Sequence, residues 1–413
     1  MAFPPRVLFI HDNFPAQFGE LGRWLARQGW DIAFATAATD PAGAEGVRLL
    51  RYAPHRAASA ETHPYAQPMD RAAIRAQAFV RAGFAARAAG YRPDVIVAHS
   101  GWGAGMFAKD VFPAAAFVAY CEWWYRHPGV DVAYLGALAG AAPAAEPASA
   151  VEAPMHERAR NAPIVMDLAA GDAAICPTAF QAAQFPAQLR AQLSVMHDGI
   201  DTDFYAPRDP ADDPTLGGLV PEDARVVSYA TRGMEPHRGF PQFMAAAPAI
   251  LAADPRAVIV VAGENRVAYG GDALRRTDWK AKALSENAID PGRIRFVGRL
   301  DRRAYRALLR RSDAHVYLTV PFVLSWSMLE AMSVGCALVL SDTPPVREYA
   351  DASAAALCDL ARPGSIAEAV RETLTDRTAA DARRRRAREV IRASVSTEIE
   401  FARKARMFAG LRA

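Results

Sequence analysis

The chain has 413 residues, 52% of them hydrophobic and 23% charged, with 48 basic residues against 45 acidic ones and a formal charge of +3. A globular domain needs roughly 100 to 200 residues, so the length implies two domains of about 200 each. The composition excludes a disordered or fibrous chain, and the charge balance gives no reason to expect a nucleic-acid partner.

In chain order, the opening segment MAFPPRVLFIHDNFP carries a short apolar run cut off by His11 and Asp12, which reads as a first strand and not as a leader peptide. RVLFIH (6–11), DIAFAT (31–36), DVIVAH (94–99) and AAFVAY (115–120) alternate with longer helical stretches, the pattern of a doubly wound parallel sheet. The arginines of the helical stretch 71–89 (Arg71, Arg75, Arg81 and Arg87) scatter around its axis and do not demonstrate a membrane-docking face. An Ala/Pro-rich stretch over 136–154 reads as an irregular excursion without chemistry.

Residues 197–224 are rich in Asp, Pro and Gly and cannot continue a sheet, so the domain boundary falls there. The strand pattern then restarts with VVSYA (226–230), AVIVVAG (257–263), RIRFVG (293–298), HVYLTV (315–320) and ALVLS (337–341). The expected organisation is a first Rossmann-like domain over 1–205, a linker over 206–224, a second such domain over 225–385 and a helical tail over 386–413. The four consecutive arginines Arg383 to Arg386 span the join of that second domain and the tail, in a stretch that reads as helix, and spread around its axis. No apolar run is long and clean enough to cross a membrane. Cys121, Cys176, Cys336 and Cys358 lie far apart in apolar runs and read as reduced core residues of a cytosolic protein.

Open parallel sheets bind ligands beyond the carboxyl ends of their strands, where loops enter helix N-termini. Thr231 to Phe240 place two arginines, Arg232 and Arg238, and two glycines at such a position. This is either a diphosphate clamp or an ordinary surface loop. Ser325, Trp326 and Ser327 open a helix after HVYLTV and could offer backbone N–H groups to an anion. Glu330, about a turn inside that helix, suits the vicinal hydroxyls of a sugar; the alternative is a buried glutamate paired with an arginine or capping a helix.

In the first half, His99 ends a strand and either touches sugar hydroxyls or packs beneath the next loop. The glycine-spaced segment Ser100 to Gly105 is a weak match to a dinucleotide fingerprint. Cys121 to His127 join Glu122 to Trp123, Trp124 and Tyr125, which suits either sugar stacking or core packing. Asp201-Thr202-Asp203 spells D-x-D but sits in the boundary segment, and the histidines lack metal-ligand spacing, so no metal is expected.

Together, R-x5-R-G-F at 232–240, F-V-G-R at 296–299, S-x-x-x-L-E-A-M at 325–332 and H-D-G-I-D-T at 197–202 resemble the family 4 retaining glycosyltransferases of the GT-B fold. The resemblance implies two Rossmann-like parallel-sheet domains facing each other across a cleft, with the acceptor on the first and a nucleotide sugar on the second. It assigns Arg232 and Arg238 to the donor diphosphate, Glu330 to the ribose, and Gly298 and Arg299 to the segment whose backbone contacts the base. Gly19, in the loop His11 to Gly19, is the counterpart of a glycine close to the donor phosphates. Phe322 stands where the family has a second glutamate near the transferred sugar. Glu122 stands where many relatives have a histidine; Glu122 and His99 are the candidate catalytic residues.

The resemblance further implies metal-independent, retaining transfer from a nucleotide-diphosphate sugar, a co-substrate and not a cofactor, to a saccharide or lipid-linked acceptor. Closure about residues 197–207 would exclude water. The expected location is cytoplasmic, with weak peripheral contact at the inner face of a membrane left open, as is the oligomeric state. The alternatives are a GT-B nucleotide-sugar epimerase and a catalytically inactive nucleotide-binding subunit, the latter suggested by Phe322 and Glu122.

Overall fold

The computed structural model describes residues 5–39, 45–139, 148–207 and 220–411. Seven strands form the first sheet: β1 (Arg6–Ile10), β2 (Asp31–Thr36), β3 (Arg48–Arg51), β4 (Val95–His99), β5 (Ala116–Tyr120), β6 (Ala173–Cys176) and β7 (Leu193–Val195). Their order is β3-β2-β1-β4-β5-β6-β7, and every pairing is parallel. The second sheet holds β8 (Arg225–Gly233), β9 (Ala257–Glu264), β10 (Ile294–Gly298), β11 (Ala314–Tyr317), β12 (Leu338–Ser341) and β13 (Ala356–Cys358). Its order is β10-β9-β8-β11-β12-β13, again all parallel.

Strand composition explains this architecture. In β1, Leu8 and Ile10 enter one hydrophobic cluster while Val7 and Phe9 enter another, because successive side chains point to opposite faces. In β8, Val227 and Tyr229 likewise face one cluster and Val226 and Ala230 the other. A sheet covered on both faces needs continuous apolar runs, and these strands supply them. In each sheet the order reverses once, between β1 and β4 and between β8 and β11, which marks the expected crevices.

Strands β3, β6, β7 and β13 were not foreseen in the sequence. They have three or four residues each, and β3 exposes Arg48 and Arg51 at the sheet edge, as edge strands do to discourage further pairing. The Ala/Pro stretch expected to be irregular is helical at its described ends, in Val130–Leu138 and Ala148–Ala159, as alanine's helix propensity favours; residues 140–147 lie outside the described chain. The C-terminal helical stretch divides into Arg377–Ser394 and Thr397–Gly410. Ile200 intervenes at the break: its N–H donates to the Val395 carbonyl at 2.8 Å, and it bridges Ser396.

The chain forms two compact units, one of Met1–Gly129, Pro143–Gly199 and Thr397–Ala413, the other of Val130–Ala142 and Ile200–Ser396. The final helix therefore belongs with the first sheet, and Val130–Leu138 with the second. Most of the expected linker, 208–219, lies outside the described residues. All four cysteines are free and buried. Among the described residues no helix is long and apolar enough to cross a membrane.

Candidate functional site

In the second unit, β8 runs on to Gly233 and a 3-10 turn, Pro236–Arg238, follows. Gly239 closes the turn at φ 64°, where a Cβ would lie 2.6 Å from Leu318 Cβ, so only glycine fits. The Tyr229 hydroxyl donates to the Arg238 carbonyl at 2.6 Å and fixes the turn from beneath.

This turn carries the Arg238 side chain inward, leaving it 5% exposed. Its Nη1 donates to Thr319 Oγ1 at 2.9 Å and to the Tyr317 hydroxyl at 3.2 Å. The guanidinium lies over the rings of Tyr269, at 5.0 Å, and Phe322, at 5.9 Å. Among the described residues it forms no ion pair. Glu235, fully buried nearby, spends its carboxylate on the backbone N–H groups of Ala268 and Tyr269, which holds the Tyr269 loop in place. The Glu235 carboxylate favours the charged guanidinium without pairing with it directly, so the face of Arg238 held by hydroxyls and rings suits a bound anion.

Around Arg238, the Phe322 ring lies 5.4 Å from His237 and 5.1 Å from Tyr269. His237 is 2% exposed, and its Nε2 meets Asp131 Oδ2 at 3.2 Å. Ser325 caps the helix Trp326–Val334. Its N–H donates to the same Tyr317 hydroxyl at 3.1 Å, while its Oγ accepts from the Ser327 N–H at 3.3 Å. Two of the three amides proposed for an anion therefore already have partners within the chain, and Trp326 is exposed.

Glu330 is half-buried, hydrogen-bonded to Tyr205 with Arg302 close by; burial pushes its carboxyl up to about 7, against the pull of those two neighbours. Arg232 is exposed near the end of β8, so the two arginines read as one clamp differ sharply in burial. Gly298 is exposed at φ 69°, and the 82% exposed Arg299 reaches Glu264 Oε1 at 3.8 Å. Asp201 Oδ1 of the D-x-D triplet accepts the Phe204 N–H at 2.8 Å. Among the described residues no group of three or more His, Cys, Asp or Glu could hold a metal.

In the first unit the ends of β1, β4 and β5 converge. The His99 ring lies 4.9 Å from His11, 4.9 Å from Trp102 and 5.4 Å from Tyr120. Its Nε2 faces Glu122 Oε2 at 3.6 Å, and Gln17 Nε2 donates to Glu122 Oε1 at 3.0 Å. Asp12 accepts from the Tyr52 hydroxyl at 2.6 Å and pairs with Arg75 at 2.7 Å. Gly19 has a local packing role: a Cβ there would meet Pro15 Cβ at 2.2 Å. Trp124 packs into the core against Phe185, at 5.5 Å, so this ring serves the interior.

The fold thus joins Arg238, Phe322, Ser325 and the Tyr317 hydroxyl in one place, and His99 with Glu122 in another. Sequence reasoning passed over Tyr269, Tyr317, Glu235, Asp131, His11 and Gln17. Gln17 and Glu235 stand inside loops already singled out, and Tyr269 follows a strand end beside two glycines; Asp131, 106 positions from His237, gave no local signal.

Comparison with known proteins agrees with this fold. Residues 28–205 match the profile described as glycosyl transferase family 4 group, and residues 218–390 match glycosyl transferases group 1. No curated protein matches the sequence. The fold resembles sucrose-phosphate synthase from Thermosynechococcus elongatus, at 18% identity and TM-score 0.70, covering 98% of this chain and 99% of that one. It also resembles Anabaena HepE in complex with UDP and glucose, at 14% identity and TM-score 0.69, with 98% and 100% covered. A UDP-forming α,α-trehalose-phosphate synthase from Burkholderia xenovorans matches at 12% identity and TM-score 0.69, with 99% and 100% covered. Two all-parallel α/β units, matched in turn by two glycosyltransferase profiles, make this chain a group 1 glycosyltransferase of the GT-B fold.

Proposed function

We propose that the second unit binds a nucleoside-diphosphate sugar and that its glycosyl group passes, with retention, to a hydroxyl of a saccharide or lipid-linked acceptor held by the first. The observation that carries this reading is Arg238, a buried cation whose direct contacts are hydroxyls and ring faces, with Glu235 near by but not paired to it, at the strand order's reversal point. During transfer the bond from the anomeric carbon to the diphosphate oxygen breaks, one to the acceptor oxygen forms, and the acceptor releases its proton. Negative charge grows on the departing diphosphate, and a pre-placed guanidinium stabilises it without reorganising. Arg232 offers a second, solvated charge, and Glu330 accepts hydrogen bonds from the ribose.

On the acceptor side, Glu122 can accept hydrogen bonds from sugar hydroxyls while the half-buried Trp102 ring offers a flat face. UDP in the HepE complexes and the UDP-forming trehalose-phosphate synthase support UDP-glucose as the first donor to try. Calorimetric titration with UDP-glucose and a panel of other nucleotide sugars should find a ligand that Arg238→Met binds about 10- to 100-fold more weakly, the worth of a charge-assisted hydrogen bond. Equal affinity in both proteins would remove Arg238 from the donor site. The anomeric configuration of the product, read by NMR, decides retention.

A further inference from the structure

Pro236–Arg238 is a single 3-10 turn, closed by the Arg238 N–H to the Glu235 carbonyl at 3.2 Å and the Gly239 N–H to the Pro236 carbonyl at 2.9 Å. Bonds of that geometry are poor, so the direction of the turn depends on its ties to the surroundings. Two ties run through the backbone: the Tyr229 hydroxyl to the Arg238 carbonyl, and the Val320 N–H to the His237 carbonyl at 3.1 Å. A third runs through the His237 side chain.

An N–H at His237 Nε2 donates to Asp131 Oδ2 at 3.2 Å, and both residues are buried. Nδ1, the other ring nitrogen, has no hydrogen-bond partner among the described residues, so Asp131 is the one polar hold on this side chain there. Asp131 comes from helix Val130–Leu138, which the chain makes between β5 and β6 of the first sheet but which belongs to the second unit. Tyr134 and Leu138, three and seven positions on and so on the same helix face, pack against the core cluster that includes Met234 and Phe240 on either side of the turn. Packing of those two side chains already seats the helix, whereas burying a carboxylate against an imidazole adds little net stability. What the pair adds is direction.

We propose that Asp131 is a positioning residue for the donor site: through His237 it fixes the turn Pro236–Arg238, and so the direction in which Arg238 presents its guanidinium. This role rests on the donor reading of Arg238. Phe322 links the two side chains a second way, its ring lying 5.4 Å from the His237 ring and 5.9 Å from the Arg238 guanidinium. A His237 ring released from Asp131 disturbs both the backbone that carries the cation and the ring face beneath it.

A double-mutant cycle of Asp131→Ala and Arg238→Met tests it, read by calorimetric titration with UDP-glucose or whichever nucleotide sugar of the panel binds the wild type. Asp131→Ala should bind about 10-fold more weakly, the worth of one lost hydrogen bond. In the Arg238→Met background the same change should matter by less than about 2-fold, because the residue it acts through is gone. Asp131→Asn keeps an oxygen for the Nε2 N–H and should recover most of the affinity. If Asp131→Ala does not fold, His237→Phe removes the same hydrogen bond, keeps a ring against Phe322 and enters the same cycle. Unchanged affinity in the single variant, or an equal loss in both backgrounds, overturns the proposal while the donor reading stands. Full affinity in Arg238→Met alone, or no nucleotide sugar bound by the wild type, overturns the donor reading and the role of Asp131 with it.

Discussion

Arg238 and Glu330 are the two charged side chains on which the donor reading rests, and their surroundings treat them differently. Arg238 cannot lose its charge, and Tyr317, Tyr269 and Glu235 favour the cation against the cost of burial. Glu330 can take up a proton, and burial favours that form up to about pH 7, whereas the unfolded chain releases the proton near 4.5. Between those values the folded protein binds more protons than the unfolded one, so this group's contribution to stability is full below about 4.5 and is lost as pH rises through about 7. Glu330→Gln removes the effect. The variant should gain on the wild type from pH 4.5 to 8, by at most about 3 kcal/mol, in urea denaturation of the ligand-free protein. A difference that stays constant across that range would show that Glu330 ionises freely. The sequence made Glu330 conspicuous because one carboxylate stood in a long apolar run. It left its partner Tyr205 hidden, 125 positions away, since only the folded sheet brings them together.

At the scale of elements, the long strands were legible because both faces of β1, β4, β8 and β9 demand apolar side chains, which leaves a continuous run in the sequence. The edge strands β3 and β13 carry little of that signal, and the bulge that carries β8 on to Gly233 carries none. The turn after β8 shows what such a connection requires. Gly239 and Gly298 both have positive φ, 64° and 69°, but a Cβ on Gly239 would meet Leu318 at 2.6 Å while one on Gly298 would meet nothing within 4 Å. Gly298→Ala should therefore cost only the left-handed backbone penalty, about 1 kcal/mol. Gly239→Ala adds a clash with buried atoms and should cost about 2 to 4 kcal/mol. It should also weaken nucleotide-sugar binding by displacing Arg238, the residue just before it. Thermal melts and titrations of the pair would show the difference; equal penalties would mean that the space around Gly239 yields.

At the scale of the whole molecule, the chain's order and its packing part company. The sequence places the last helix after every strand of the second sheet, yet Thr397–Gly410 belongs to the first unit. Nothing in local spacing could announce this, because an amphipathic helix records that one face is buried but not against what. The partners are visible only in the fold. Phe408 is fully buried with its ring 6.4 Å from that of Phe9 in β1, and Phe401 joins the same cluster. Lys404, buried beside them, donates to the His197 carbonyl. Sealing one face of the first sheet with the chain's final residues makes that unit's stability depend on the C-terminus. Phe408→Ala should cost about 3 to 5 kcal/mol, the usual penalty for emptying an aromatic site in a core. Hydrogen exchange should then accelerate in β1 and β4, which share the cluster through Val7, Phe9, Val95 and Val97, and not in β8 and β11, which have no member in it. Equal acceleration in both sheets would mean that the two units unfold as one, and the penalty would then belong to the whole chain and not to its first sheet.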